Sequence, residues 1–189
     1  MINKEAVIKI LKAGGVGVVP TDTIYGLVGQ ALNKATVERI YKVRQRRPDK
    51  PLIILIGSLS DLKLFGVKLT PVEEKILRKN WPGQISIILS CLSPKFKYLH
   101  RGTDSLAFRL TAKKSIREII KLTGPLVAPS ANPEGEKSAD NLPEAAGYFG
   151  TAVDFYYGRG SLIGQPSTLV KLDNGKLVVL RDGAVKVKN

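Results

Sequence analysis

Five apolar residues in a row, Leu52-Ile53-Ile54-Leu55-Ile56, stand between Pro51 and Gly57. A run this short, closed by turn formers, reads as a strand buried on both faces, and it is far too short to cross a bilayer. Such a strand needs other elements packed over it, and the flanking sequence supplies them. Asn3 can cap a helix whose Val7, Ile10 and Leu11 share one face, with Gly14-Gly15 as its stop. Val16 to Val19 reads as a strand that ends at Pro20 and delivers the polar turn Thr21-Asp22-Thr23. Further helices are expected over about 34–43, from Ser58 onward, over 71–80 with Pro71 in the first turn, and over 115–122. Strands are expected over 85–89, 106–110, 126–127, 153–157, 168–172 and 177–180, the last two joined by a turn at Asp173-Asn174-Gly175. No repeat, low-complexity tract or linker divides the chain, so the pattern predicts a single twisted α/β domain over residues 1–189.

Charge narrows the partners. Thirty Lys and Arg against sixteen Asp and Glu give a formal net charge of +14. An excess of this size favours an anionic partner and suits a nucleotide, tRNA or nucleic acid in general, or else a merely solvated basic surface. The N-terminal stretch from Met1 to Ala13 lacks a signal-peptide pattern, so a cytoplasmic location is expected. Cys91 and His100 are each the sole residue of their type, which excludes a disulfide framework and a Cys/His zinc site within one chain. A bound metal is therefore expected to arrive with a ligand.

Several catalytic engines are absent from the sequence. It has no G-x-x-x-x-G-K-[ST] phosphate loop and no G-x-S-x-G elbow, and a lone histidine without a local acid argues against triad hydrolysis. Gly15-Val16-Gly17-Val18-Val19-Pro20 starts like a dinucleotide fingerprint but places proline where the third glycine belongs. Four polar clusters remain: Thr21-Asp22-Thr23 with Tyr25, the basic segment from Arg44 to Lys50, Ser105 with Arg109, and the loop from Ser130 through Asn132 to Ser138. Taken singly, each is explained by turn chemistry or a solvated loop. Together they suit a polyanion held beside a small polar molecule. Arg109 and Arg181 stand in or at the end of apolar strands, where a charge needs an anionic partner, whether a ligand or a structural carboxylate.

Five ordered motifs carry a resemblance over about 16–185: Pro20-Thr21-Asp22-Thr23-Ile24-Tyr25-Gly26-Leu27, Lys50-Pro51-Leu52, Trp81-Pro82-Gly83, Ser130-Ala131-Asn132 and Ser167-Thr168. In this order they resemble the YrdC/TsaC family. The resemblance implies a YrdC-like α/β domain with a twisted mixed sheet, flanking helices and a concave, positively charged cavity. It implies a nucleotidyltransferase that forms L-threonylcarbamoyladenylate and pyrophosphate from L-threonine, bicarbonate and ATP. Magnesium would accompany the ATP phosphates without a protein metal site. The product would pass to threonylcarbamoyl-transferring proteins that modify the tRNA adenosine next to the anticodon, with direct tRNA contact an option.

Carried over by position, Arg46, Lys50, Ser105, Ser130, Asn132, Ser138 and Arg181 resemble the ATP contacts, with Arg46 and Lys50 stabilising phosphate charge. Thr23, Tyr25, Arg109, Ala128 and Ser167 resemble the threonine side. The chain departs from the family pattern twice. Arg44-Gln45-Arg46-Arg47 replaces Lys-x-Arg and offers three arginines to phosphate, and Leu55 stands where some relatives carry a histidine near threonine. Two other readings compete: a non-catalytic module of the same fold that binds double-stranded RNA, tRNA or ribosomes, and an adenylating domain serving carbamoyl transfer in hydrogenase maturation.

Overall fold

The computed structural model describes residues 2–173 and 175–187. Four of the six α-helices among the described residues start where the sequence offers a capping side chain. Asn3 accepts the Ala6 N–H at 2.9 Å to open α1 (Lys4–Lys12), and Asn33 accepts the Thr36 N–H at 3.2 Å to open α2 (Lys34–Val43). Thr70 and Glu73 form a reciprocal capping box ahead of α3 (Pro71–Asn80), with Pro71 in the first turn. A one-turn α4 (Lys97–His100) and the amphipathic α5 (Lys114–Thr123) follow. The last helix is α6 (Leu142–Phe149), opened by Asn141, which accepts the Glu144 N–H at 2.9 Å. The segment expected to be helical from Ser58 is a 3₁₀ helix, Leu59–Phe65.

Nine strands form one mixed sheet among the described residues: β1 (Gly17–Pro20), β2 (Tyr25–Gln30), β3 (Ile53–Ile56), β4 (Ile85–Ser90), β5 (Ser105–Leu110), β6 (Leu126–Val127), β7 (Phe155–Tyr156), β8 (Thr168–Asp173) and β9 (Lys176–Arg181). Their order is β7-β1-β2-β6-β3-β5-β4-β8-β9. The pairs β1/β7, β3/β5 and β4/β8 are parallel, and the other five are antiparallel. The expected β8/β9 hairpin forms, with Asp173 opposite Lys176, while Asn174 of its turn lies outside the described residues. Three of these elements went unread in the sequence, the one-turn α4, β2 and α6. Gly26 and Gly29 disguise β2, and Pro143 with Gly147 disguises α6.

The sheet is covered on both faces, as the β3 run requires. Val37 and Ile40 of α2, Leu77 of α3, Phe65 and Phe149 fill one side with Ile54 and Phe108. On the other side Val7 and Leu11 of α1 pack with Ile116, Ile119 and Ile120 of α5 over Leu55 and Val28. Each fully buried side chain of this size contributes on the order of 1.5–3 kcal/mol by leaving water. Helices α1 and α5 cover only part of their face, and the cleft described next is lined by the buried Arg109 and Ala128 of that same layer. No helix among the described residues is long and apolar enough to cross a membrane.

Candidate active site

The β1–β2 connection is a self-bonded turn. The Thr21 hydroxyl donates to the Ile24 carbonyl at 2.7 Å and accepts the Thr23 N–H at 3.2 Å, and the two threonine hydroxyls lie 3.1 Å apart. Gly26 then allows close approach, since a Cβ there would sit 3.1 Å from Thr21 Cγ2 and 3.4 Å from the Pro129 carbonyl oxygen. Leu27 N–H donates to Pro129 O at 2.9 Å and Ala131 N–H to Tyr25 O at 3.0 Å, so the stretch after β6 continues as an irregular edge beside β2. Tyr25 is fully buried and its hydroxyl donates to the Gly160 carbonyl at 2.8 Å, which ties the exposed loop ahead of β8 to the turn.

These segments line an open cleft. Four arginines, Arg44, Arg46, Arg109 and Arg181, line it, and its described lining contains no carboxylate. Arg44 is buried. Its Nε donates to Ser130 O at 2.8 Å, and its Nη2 donates to Ser130 Oγ at 2.8 Å and to Asn132 Oδ1 at 3.3 Å, while Nη1 is buried without a partner. Burial pushes this guanidinium down to about 10, Arg46 adds to the effect and Glu134 opposes it.

The end of α2 explains why Arg44 and Arg46 reach the cleft and Arg47 does not. Gln45 adopts a left-handed φ of 51°, and the bonds from Arg46 N–H to Tyr41 O (3.0 Å) and from Gln45 N–H to Lys42 O (3.1 Å) complete a Schellman turn. Arg46 then donates to Lys50 O at 3.1 Å and to Pro51 O at 3.0 Å. Arg47 points to solvent, with Nη2 2.7 Å from Asp49 Oδ2.

Arg109 is the most enclosed cation of the four. Its Nη2 lies 3.2 Å from Asp22 Oδ1 and donates to Thr21 Oγ1 at 3.3 Å, and its Nε is buried without a partner. Burial pushes Arg109 down, Asp22 pulls it back up and Arg181 pushes it further down. Arg181 donates to the Ser167 carbonyl at 2.8 Å, and Ser167 Oγ lies 2.8 Å from Ser86 Oγ. Although Arg181 is an exposed residue, loss of water around its guanidinium pushes it down, followed by the charge of Arg46. The charges therefore act on one another in series along the cleft, from Arg109 through Arg181 to Arg46 and Arg44.

Of the residues singled out in the sequence, Thr23, Tyr25, Arg46, Arg109, Ala128, Ser130, Ser167 and Arg181 line the cleft. Lys50, Ser105, Asn132 and Ser138 do not. Lys50 Nζ is held 2.5 Å from Glu134 Oε1. Asn132 is buried and donates to the carbonyls of Pro133 (2.7 Å) and Glu136 (2.8 Å), which shapes the loop carrying Ser138. Ser105 begins β5 and donates to Thr103 Oγ1 at 3.3 Å, four residues before Arg109 on the same strand. Leu55 does not line the cleft either: it lies fully buried among Ile116, Ile119 and Ile120, so the wall on β3 comes from Leu52 and Ile53. Arg44 was legible as one of three candidates, whereas the pairing of Asp22 with Arg109 had no local signal.

A family model named Sua5_yciO_yrdC, described as telomere recombination, matches residues 9–183. Threonylcarbamoyl-AMP synthase of Pyrococcus abyssi is 29% identical over 180 residues, covering 94% of this chain and 53% of that protein. The enzyme of the same name from Bacillus subtilis is 32% identical over 189 residues, covering 93% of this chain and 52% of the relative. This chain thus spans about half the length of those two relatives. The crystal structure of P. abyssi Sua5 complexed with L-threonine superposes with a TM-score of 0.86 at 31% identity, over 97% of this chain and 55% of that one.

Proposed function

Because the chain belongs to the Sua5_yciO_yrdC family, we propose that it is a threonylcarbamoyl-AMP synthase, condensing L-threonine, bicarbonate and ATP into L-threonylcarbamoyladenylate, pyrophosphate and water. The observation that carries this reading is a cleft lined by four arginines and no carboxylate, with one arginine set apart beside the threonine-bearing turn. The names of the P. abyssi and B. subtilis relatives and the threonine complex of Sua5 support it.

Threonine would place its carboxylate on Arg109, whose unpartnered Nε–H would take a carboxylate oxygen without giving up an existing bond. Its amine, carboxylated by bicarbonate with loss of water, becomes a carbamate. One carbamate oxygen attacks the α-phosphorus and the bond from that phosphorus to the α,β-bridging oxygen breaks, so that the electron pair leaves with pyrophosphate. Arg44, Arg46 and Arg181 would hold the triphosphate and neutralise the charge that builds on the departing group. Lys50 would join them by exchanging Glu134 for phosphate, and Ser105, Ser130, Asn132 and Ser138 would shape the nucleotide end. Thr23, Tyr25, Ala128 and Ser167 would form the amino-acid end.

The described residues hold no cluster of three or more His, Cys, Asp or Glu fit to bind a metal. Magnesium would therefore be held by the ATP phosphates. In this reading residues 1–189 act as one YrdC-like domain in the cytoplasm, and the adenylate goes to proteins that transfer threonylcarbamoyl to tRNA. The test is pyrophosphate release by the purified protein with ATP and magnesium. It should require both threonine and bicarbonate, and release independent of threonine, or none at all, refutes the proposal.

A further inference from the structure

The four arginines of the cleft are not equivalent in charge. Arg44 donates to uncharged oxygens of Ser130 and Asn132, Arg46 to two carbonyls, and Arg181 to the Ser167 carbonyl. Arg109 alone among them has a carboxylate in direct contact, with Asp22 Oδ1 3.2 Å from its Nη2 and both side chains less than a tenth exposed. Glu134, the acid that Arg44 feels from a distance, is already engaged by Lys50 and the Arg47 N–H. The cleft therefore has one arginine in contact with a carboxylate and three with none.

Asp22 is built to hold that balance. Its Oδ2 accepts the Ala112 N–H at 3.0 Å, and its carbonyl accepts from the Gln84 side chain, so turn and carboxylate are both fixed. It does not line the cleft and would not touch a ligand there. Its Oδ1 meets Arg109 by charge without hydrogen-bond geometry, and Arg109 Nε stays unpartnered. The pair thus cancels charge without tying up the Nε donor. Lys113, the other cation that feels Asp22, donates to the Thr21 carbonyl at 3.3 Å and lines a separate groove beside Tyr157, outside the cleft.

We propose that Asp22 sorts the two substrates: by neutralising Arg109 it keeps that end for a molecule of zero net charge, an amino acid, and confines polyanionic phosphate to Arg44, Arg46 and Arg181. Discrimination of this kind comes from denying the wrong ligand an unbalanced charge and not from an added attraction. The inference rests on the synthase reading and deepens it, since two substrates that both carry anionic groups share one arginine-lined cleft.

The experiment is a calorimetric titration of threonine with inorganic pyrophosphate as competitor. In the wild-type protein, pyrophosphate at a concentration that displaces ATP should leave threonine affinity within twofold. In Asp22→Asn, which keeps an acceptor for Ala112 N–H, pyrophosphate should compete with threonine at least tenfold more strongly. Asp22→Glu, which keeps the charge, should stay closer to wild type. Displacement of threonine by pyrophosphate from the wild-type protein overturns the inference, and this arm decides even if the variants fail to fold. A folded Asp22→Asn with unchanged competition also overturns it. Wild-type protein that binds no threonine refutes the synthase reading, and the inference falls with it; threonine binding with the wrong competition pattern refutes the inference alone.

Discussion

Lys50 Nζ lies 2.5 Å from Glu134 Oε1, while the other carboxylate oxygen of Glu134 accepts the Arg47 N–H at 2.6 Å, so one acid clasps the basic segment after α2. The bond from Lys50, then that from Arg47 N–H, holds Glu134 down to about 2 against an ordinary 4.5. The folded value lies below the unfolded one, so the clasp contributes fully above about pH 4.5 and is lost as pH falls through about 2. We expect the Glu134 carboxyl carbon to titrate near 2 by NMR and to move up towards 4.5 in Lys50→Ala. An unchanged midpoint in the variant would exclude the clasp.

The enclosed pair of Asp22 and Arg109 predicts a stability asymmetry. Arg109→Met leaves a buried carboxylate without its cation and should cost about 3–5 kcal/mol in chemical denaturation. Adding Asp22→Asn should recover a large part of that loss, because the uncompensated charge is removed as well. Additive losses in the double variant would show that the two side chains do not interact.

The division of roles along the cleft predicts separable ligand defects. Lys50→Ala should weaken ATP binding roughly tenfold, equivalent to about 1.4 kcal/mol, and leave threonine affinity within twofold. Arg109→Lys should do the reverse, because an ammonium cannot supply the guanidinium's paired donors. Calorimetry with each ligand alone distinguishes them, and equal mild effects in both would contradict the division.

Gly183 is packed against the backbone that carries Ser167. A Cβ at this position would lie 2.3 Å from Pro166 O and 2.6 Å from Thr168 N, contacts that no side-chain movement can relieve. Gly183→Ala should destabilise the protein by about 1–3 kcal/mol and weaken both ligands at once, since Ser167 and Arg181 share this corner. A variant with wild-type melting temperature and affinities would show that the corner yields freely.

The parts legible in the sequence are those with local causes. The bounds of α2 and α3 coincide with expectation because Asn33, Thr70 and Glu73 carry their own capping chemistry. The polar turn at Thr21 and the basic segment after α2 were equally visible as clusters. Strand β2 was not, because its glycines serve tertiary contacts: a Cβ on Gly29 would meet Thr36 Cγ2 at 2.4 Å. The choice among Arg44, Arg46 and Arg47 depends on a left-handed Gln45, a residue type with no preference for that conformation. Leu55 lies outside the cleft for the related reason that strand burial under α5 is set by elements distant in sequence.

The cleft draws on residues from Thr21 to Arg181, and its floor depends on β2 meeting the stretch that follows β6. Contacts this far apart in the chain form late, after the entropy of closing long loops has been spent, and they slow folding. Binding competence should consequently appear as the final kinetic event of refolding, together with global protection and not ahead of it.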